Sequence, residues 1–348
     1  MKRLLLAAVL LGCRDEGAPF LDDDDYGGTK TPKCCDESPR DVGVVEIDPA
    51  IITLASAEDV ACMTVDDDAV YWVTREGRIA ALQTTDVPST GPRPATPPDG
   101  VRADLGEGPC ELVRDGDELW VTSLKEGALH RLTVVKNVDR TVSFGASHDT
   151  VTGFDAPTSV AIDATHVYVA EHDAGVVKRF ARSAAGADAG GPPATETLAT
   201  EGTRAASLRL DDDTVYWLSF KAEDGTSRAR KVAKTGGEVT TLARAEHVLE
   251  RIGGALYFFD GDVVRTVSTE GGLPIAVRTG ATTAFATDGA SLYLAAGGGM
   301  SVVAVDGTRH LFTFESDTGA RGDVKLFAQP RRLVWTRARS IFTRAVPP

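Results

Sequence analysis

The chain has 348 residues, with 37 Lys+Arg against 51 Asp+Glu, a formal net charge of −14 and 42% hydrophobic residues. At this size roughly three quarters of the unfolded surface can be buried on folding, so a full hydrophobic core is within reach. The acidic balance argues against nucleic acid and anionic lipid as electrostatic partners, because both need clustered Lys and Arg to displace counterions.

The chain opens with Met1-Lys2-Arg3, an apolar run from Leu4 to Leu11, and then Gly12-Cys13. Eight apolar residues make a helix of about 12 Å, far short of the ~30 Å hydrocarbon core. Residues 1–12 therefore read as an export signal that is removed, not as a spanning helix. The stretch Leu10-Leu11-Gly12-Cys13 resembles the bacterial lipobox. That resemblance implies lipidation of Cys13 and attachment to a bacterial membrane, facing the periplasm or the cell surface, through the anchor only. An ordinary secretory signal followed by a chance cysteine is the competing reading.

Residues 13–41 are polar, with Asp22-Asp23-Asp24-Asp25, Gly27-Gly28 and no apolar periodicity, and they read as a disordered tether. The four aspartates lack the spaced oxygens and central glycine of a calcium loop. Beyond Cys13 the cysteines are Cys34, Cys35, Cys62 and Cys110. In an oxidising compartment four cysteines allow three pairings, with free thiols as the alternative. A metal site would call for C-x-x-C spacing or a neighbouring histidine, and the sequence has neither.

From residue 42 to 348 one pattern recurs: an Asp or Gly turn, a strand led by Val or Leu and an aromatic, then a further short apolar strand. Its instances are Val70-Tyr71-Trp72, Leu119-Trp120-Val121, Val167-Tyr168-Val169, Val215-Tyr216-Trp217, Leu256-Tyr257-Phe258, Leu292-Tyr293-Leu294 and Leu333-Val334-Trp335. Measured at the middle residue, the steps are 49, 48, 48, 41, 36 and 41. Asp66, Asp115, Asp163, Asp211 and Asp288 stand five residues before that position, and the fifth repeat places Gly253-Gly254 in the same turn. Asp closes a tight turn through its own side chain, and Gly accepts positive φ.

Each unit divides into four short strands; in the fourth these are Ser207 to Leu210, Thr214 to Leu218, Arg230 to Ala233 and Val239 to Leu242. Sustained 3.6-residue periodicity is missing throughout, so the fold class is all-β. Four-stranded units of about 42 residues predict a seven-bladed β-propeller, with six or eight blades as alternatives. The last repeat supplies three strands, at Val324 to Phe327, Leu333 to Thr336 and Ile341 to Arg344. Residues 51–55, Ile51-Ile52-Thr53-Leu54-Ala55, resemble the outermost strands Glu196-Thr197-Leu198-Ala199 and Thr240-Thr241-Leu242-Ala243. They are expected to close the last blade and remove an open edge.

The Val-Tyr-Trp element with its upstream Asp resembles a broad group of bacterial extracytoplasmic propellers, and more distantly the receptor propellers named for a Tyr-Trp-Thr-Asp repeat, which have six blades. Coverage runs from about residue 51 to 348. Within the third repeat, Val167-Tyr168-Val169-Ala170-Glu171-His172 followed by Gly175 and Lys178-Arg179 looks like the repeat of propeller lyases that open cyclic antibiotic esters. That resemblance implies Glu171 and His172 as weak catalytic candidates holding Mg²⁺. Exposed loop residues are the plainer reading, since only one repeat has this form.

G-x-S-x-G, H-E-x-x-H and P-loop motifs are missing, so no cofactor or resident metal is expected. Basic residues recur in the third strands at Arg78, His130-Arg131, Lys178-Arg179, Arg230-Lys231, Arg265 and Arg344. They read either as a ring for an acidic glycan or as solvated strand faces. Two inserts, 83–100 and 183–194, fall between third and fourth strands and share one rim. The expected function is a non-enzymatic binding or scaffold role toward an unknown protein or glycan. The alternative is a lyase or hydrolase at the mouth of the central channel.

Overall fold

Runs such as Val70-Tyr71-Trp72-Val73 leave no polar side for solvent and suit strands covered on both faces. The second strand of each repeat is such a strand: Ala69–Thr74 and Thr214–Phe220 are buried almost end to end. Outermost strands such as Glu196–Thr200 keep one side open. The computed structural model describes residues 52–345 apart from 57, 85–93, 99, 107–109, 140, 187–191, 202–203, 221–224, 279–281, 289–290, 297–298, 305–309, 316–323, 330–331 and 338. The export signal, the tether, Cys13, Cys34 and Cys35 lie outside the described residues.

Seven antiparallel meanders stand side by side around one axis as a seven-bladed β-propeller. The innermost strands are Val60–Val65, Leu112–Asp115, Pro157–Ile162, Arg204–Leu210, His247–Ile252, Thr282–Thr287 and Leu326–Gln329. Each touches the next, and the last returns to the first. The buried apolar residues fall into seven clusters, one for each seam between neighbouring blades. Strand alternation explains this, because consecutive side chains point to opposite neighbours. Tyr71 packs with Leu119 and Val121 toward blade 2, while Trp72 packs with Leu54, Val334 and Ile341 toward blade 7. The blade number therefore departs from that of the six-bladed receptor propellers.

The N-terminal strand Ile52–Ser56 pairs antiparallel with Ser340–Ala345 and completes blade 7, as the sequence leads one to expect. Buried Gln329 reinforces this seam by donating from Nε2 to the carbonyls of Asp66 and Ala69 in blade 1. Blade 1 departs from the four-strand pattern. Among the described residues its sheet has three strands, and its outer edge carries the isolated bridges Ala81↔Ala95 and Arg78↔Arg102. Pro94, Pro97 and Pro98 in the returning segment have no N–H to donate, so a continuous ladder cannot form there.

The turn aspartates do more than the spacing predicted. Oδ1 of Asp66, Asp163 and Asp211 accepts backbone N–H groups two and three residues on, and that of Asp288 accepts from Ser291. The other oxygen accepts the hydroxyl of the aromatic five residues later: Tyr71 at 2.8 Å, Tyr168 at 2.9 Å, Tyr216 at 2.5 Å and Tyr293 at 2.7 Å. A cation from the following blade then grips the same carboxylate. Arg114 and Lys136 reach Asp66, Arg182 reaches Asp115, Lys234 reaches Asp163 at 2.8 Å, and Arg251 stands 3.9 Å from Asp211. Four seams are clasped this way, from blade 1 through blade 5.

These contacts set a pH response. Burial opposes ionisation of Asp66, Asp163 and Asp211, but hydrogen bonds from Tyr71 and Lys136, from Lys234, and from Tyr216 respectively outweigh it and hold each carboxyl below its usual range. The same pairing, with burial acting first, raises the Tyr216 hydroxyl to about 12. A carboxyl depressed on folding stabilises the native state above its unfolded value of about 3.9. That contribution is lost as pH falls through the folded value. Melting curves should accordingly show no loss from these groups between pH 5 and 7 and a progressive one below about pH 4. Asp163→Asn should flatten the acid limb.

Candidate functional site in the central channel

The seven innermost strands enclose a channel with a cavity of about 670 Å³, lined by residues of every blade. Its wall is divided about equally between polar and apolar atoms, since side chains such as Leu112, Val160, Leu208 and Leu249 pack into the seams between blades. Into it four blades send polar groups that no repeat pattern in the sequence singles out. Arg209 of blade 4 donates from Nη1 to Glu111 Oε1 of blade 2 at 2.8 Å and from Nη2 to Glu250 Oε1 of blade 5 at 2.7 Å. Its Nε adds a second bond to Glu250 Oε2 at 3.2 Å, a bidentate fork suited to guanidinium and carboxylate. Ser159 of blade 3 donates to the free oxygen of Glu111 and accepts the Leu208 N–H at 2.8 Å.

Backbone irregularities aim these side chains. The pairing of Arg204–Leu210 shifts register between Ala206 and Arg209, and that of His247–Ile252 between His247 and Leu249. Ser207 (φ 57°) and Val248 (φ 53°) sit within those shifts in the left-handed region. A bulge turns the residues after it toward the opposite face, here the channel. Side chains with a Cβ seldom adopt that conformation, and the cost is of order 1–3 kcal/mol each. Burial raises the Glu111 carboxyl above its ordinary value, with Arg209 and Ser159 pulling it down and Glu250 pushing it up. Burial opposes the charge on Arg209, but Glu250 and Glu111 together hold it more firmly protonated than usual.

Cys62 and Cys110 form a disulfide with Cα atoms 5.7 Å apart, and both residues line the channel. It joins the innermost strand of blade 1 to the residue preceding Glu111. The bond encloses the second and third strands of blade 1 and the proline-rich segment that follows them. By loop closure of 48 residues it is worth about 4 kcal/mol. Cys62→Ala/Cys110→Ala should lose that much in a denaturant titration, with a larger m-value because the unlinked denatured chain is more expanded.

Glu171 and His172 are each engaged with a neighbour in their own blade. Glu171 is not an exposed loop residue; it ends the strand His166–Glu171, is 1% exposed, and accepts Lys178 Nζ at 2.7 Å. His172 turns instead to Asp173, 2.7 Å from Nδ1 to Oδ1. The basic third-strand residues are likewise occupied. Arg78 pairs with Glu58, Arg131 with Asp149, Arg179 with Glu196 at 2.7 Å, Arg230 with Glu201 at 2.8 Å and Arg265 with Asp260 at 2.8 Å. Buried His130 contacts Glu126 at 3.0 Å, and burial lowers its pKa. Among the described residues no cluster of three or more His, Cys, Asp and Glu could hold a metal ion, and no helix is long and apolar enough to cross a membrane.

Solved structures share this architecture at low identity. The extracellular domain of a putative one component system from B. thetaiotaomicron aligns at TM-score 0.60 and 12% identity, over 85% of this chain and 42% of that one. BamB from Moraxella catarrhalis aligns at 0.50 and 15%, over 82% and 85%. The AfRom2 CNH domain aligns at 0.50 and 11%, over 84% and 98%. At such identities the likeness is one of fold, and the class it defines is the β-propeller. No protein-family model and no curated protein matches the chain.

Proposed function

We propose that this protein is an exported, lipid-anchored propeller that binds a protein or glycan partner outside the cytoplasm and catalyses no reaction of its own. The observation that carries the reading is how the channel's charges are used. Glu111, Arg209, Glu250 and Ser159 are bound to one another across four blades, so that these charges are spent on joining the blades. Glu171 and His172 are likewise engaged with Lys178 and Asp173. The Cys62–Cys110 disulfide suits an oxidising compartment, and Leu10-Leu11-Gly12-Cys13 supplies the address.

An enzyme with its site at the channel mouth is the second reading, favoured by the raised carboxyl of Glu111 facing the cavity. Palmitate labelling with membrane fractionation tests the anchor: Cys13→Ser should lose the label and leave the membrane fraction. A labelled, sedimenting Cys13→Ser protein would refute it. Metal- or substrate-dependent turnover abolished by Glu111→Gln would replace the binding reading with the enzymatic one.

A further inference from the structure

In an antiparallel meander the turns between first and second strands and between third and fourth strands emerge on one face of the disc, and the remaining connections emerge on the other. The two faces of this ring differ in kind. On the first face stand Asp67, Asp117, Asp212, Asp213, Glu238 and Glu270, all exposed and drawn from blades 1, 2, 4 and 5. They come in addition to the turn aspartates that the clasping cations already neutralise. On the opposite face exposed bases stand among the exposed acids: Arg75–Asp59 at 3.2 Å, Lys125–Asp104 at 3.8 Å and Arg244–Glu246 at 3.0 Å are paired, and Glu76, Asp155 and Asp262 share that face with exposed Arg102, Arg204 and Arg278.

Apolar exposure is equally one-sided. Among the described residues the large exposed hydrophobics are Val135, Val138, Leu273 and Ile275. All four belong to hairpins joining third to fourth strands, in blades 2 and 5, and so to the acidic face. Val138 is fully exposed and Leu273 is 91% exposed. Val138 tips the hairpin of blade 2, whose strands of nine and eleven residues are longer than those of the other blades. Aliphatic side chains held in water on rigid hairpins gain from being covered, while the surrounding carboxylates select what covers them.

We infer that this face is the docking surface and that its occupant is a protein with a basic surface, whose apolar residues cover the hairpins of blades 2 and 5. This rests on the binding reading above and names the face and the chemistry of the partner. The charge pattern governs encounter and choice of partner, and the aliphatic hairpins supply contact area.

The test uses full-length protein in its native membranes with a photoreactive benzoylphenylalanine at Leu273 or, on the opposite face, at Asp262. Each is combined with wild-type charge, with Asp67→Lys/Asp117→Lys/Asp212→Lys/Asp213→Lys, or with the opposite-face control Glu76→Lys/Asp155→Lys. An adduct to a basic segment is expected from position 273 and not from 262. Its yield should drop about fivefold or more in the acidic-face variant and hold in the control, since exposed charges act within a Debye length. Melting curves confirm that all variants are folded. An adduct from 262 in place of 273 overturns the face, and one from 273 indifferent to charge reversal overturns the basic partner. No adduct at 273 where a partner still co-purifies overturns the inference alone. Where no partner co-purifies, the binding reading falls with it.

Discussion

A chain lacking residues 42–57 should melt more than about 10 °C below the full-length protein, because the deletion removes a whole strand and opens a seam together. Among the described residues Ile52–Ser56 is the strand paired with the outer edge of Ser340–Ala345, and its loss leaves that edge unpaired. It also removes Leu54, fully buried among Val70, Trp72, Val334 and Ile341. The single substitution Leu54→Ala isolates the packing share. It should cost about 3 kcal/mol, or roughly 6–12 °C at 2–4 °C per kcal/mol. Calorimetry on both forms checks this, and a deletion that melts with the parent would refute closure by the N-terminal strand.

Arg209→Met should be the most damaging single change in the channel. It leaves Glu111 and Glu250 facing each other across the channel without the guanidinium that binds both. Removing one partner of a buried ion pair costs about 3–5 kcal/mol. Here the low end applies, about 3 kcal/mol, since these side chains retain some contact with channel water. Glu111→Gln should be mild by comparison, because that carboxyl already has a raised pKa and Gln can keep both the Arg209 and Ser159 contacts. The triple variant Glu111→Gln/Arg209→Met/Glu250→Gln should recover to within about 1 kcal/mol of wild type, as replaced ion triads often do. A triple variant as unstable as Arg209→Met alone would mean that lost packing, not stranded charge, sets the cost.

The ring was legible because it rests on local chemistry repeated in register. An aspartate five residues ahead of the middle strand position marks five of the seven hairpins, and the Thr-Leu-Ala strands at 197–199 and 241–243 point to the equivalent segment at 53–55. What those aspartates do for the neighbouring blade was not legible. Lys136, Arg182 and Lys234 lie roughly 70 residues beyond the carboxylates they grip, at no constant spacing. Nor could spacing find the channel cluster. Glu111 and Arg209 are 98 residues apart, and bulges at Ser207 and Val248 break the alternation that would place side chains inside or outside. The burial of Glu171 was illegible for the opposite reason. Its motif is local and recognisable, but its environment is a buried strand end neutralised by Lys178. The Cys62–Cys110 pairing falls between these cases: the cysteines fit an oxidising compartment, but only the adjacency of blades 1 and 2 selects one pairing of the three.

The measurement that bears most directly on a binding function is purification of the lipidated protein from its native membranes after mild crosslinking, with the Cys13→Ser form as control. One partner recovered in near-stoichiometric amount with the anchored protein, and lost from the control, is the predicted result. An anchored protein recovered alone, from membranes where the crosslinker demonstrably joins other complexes, would contradict it.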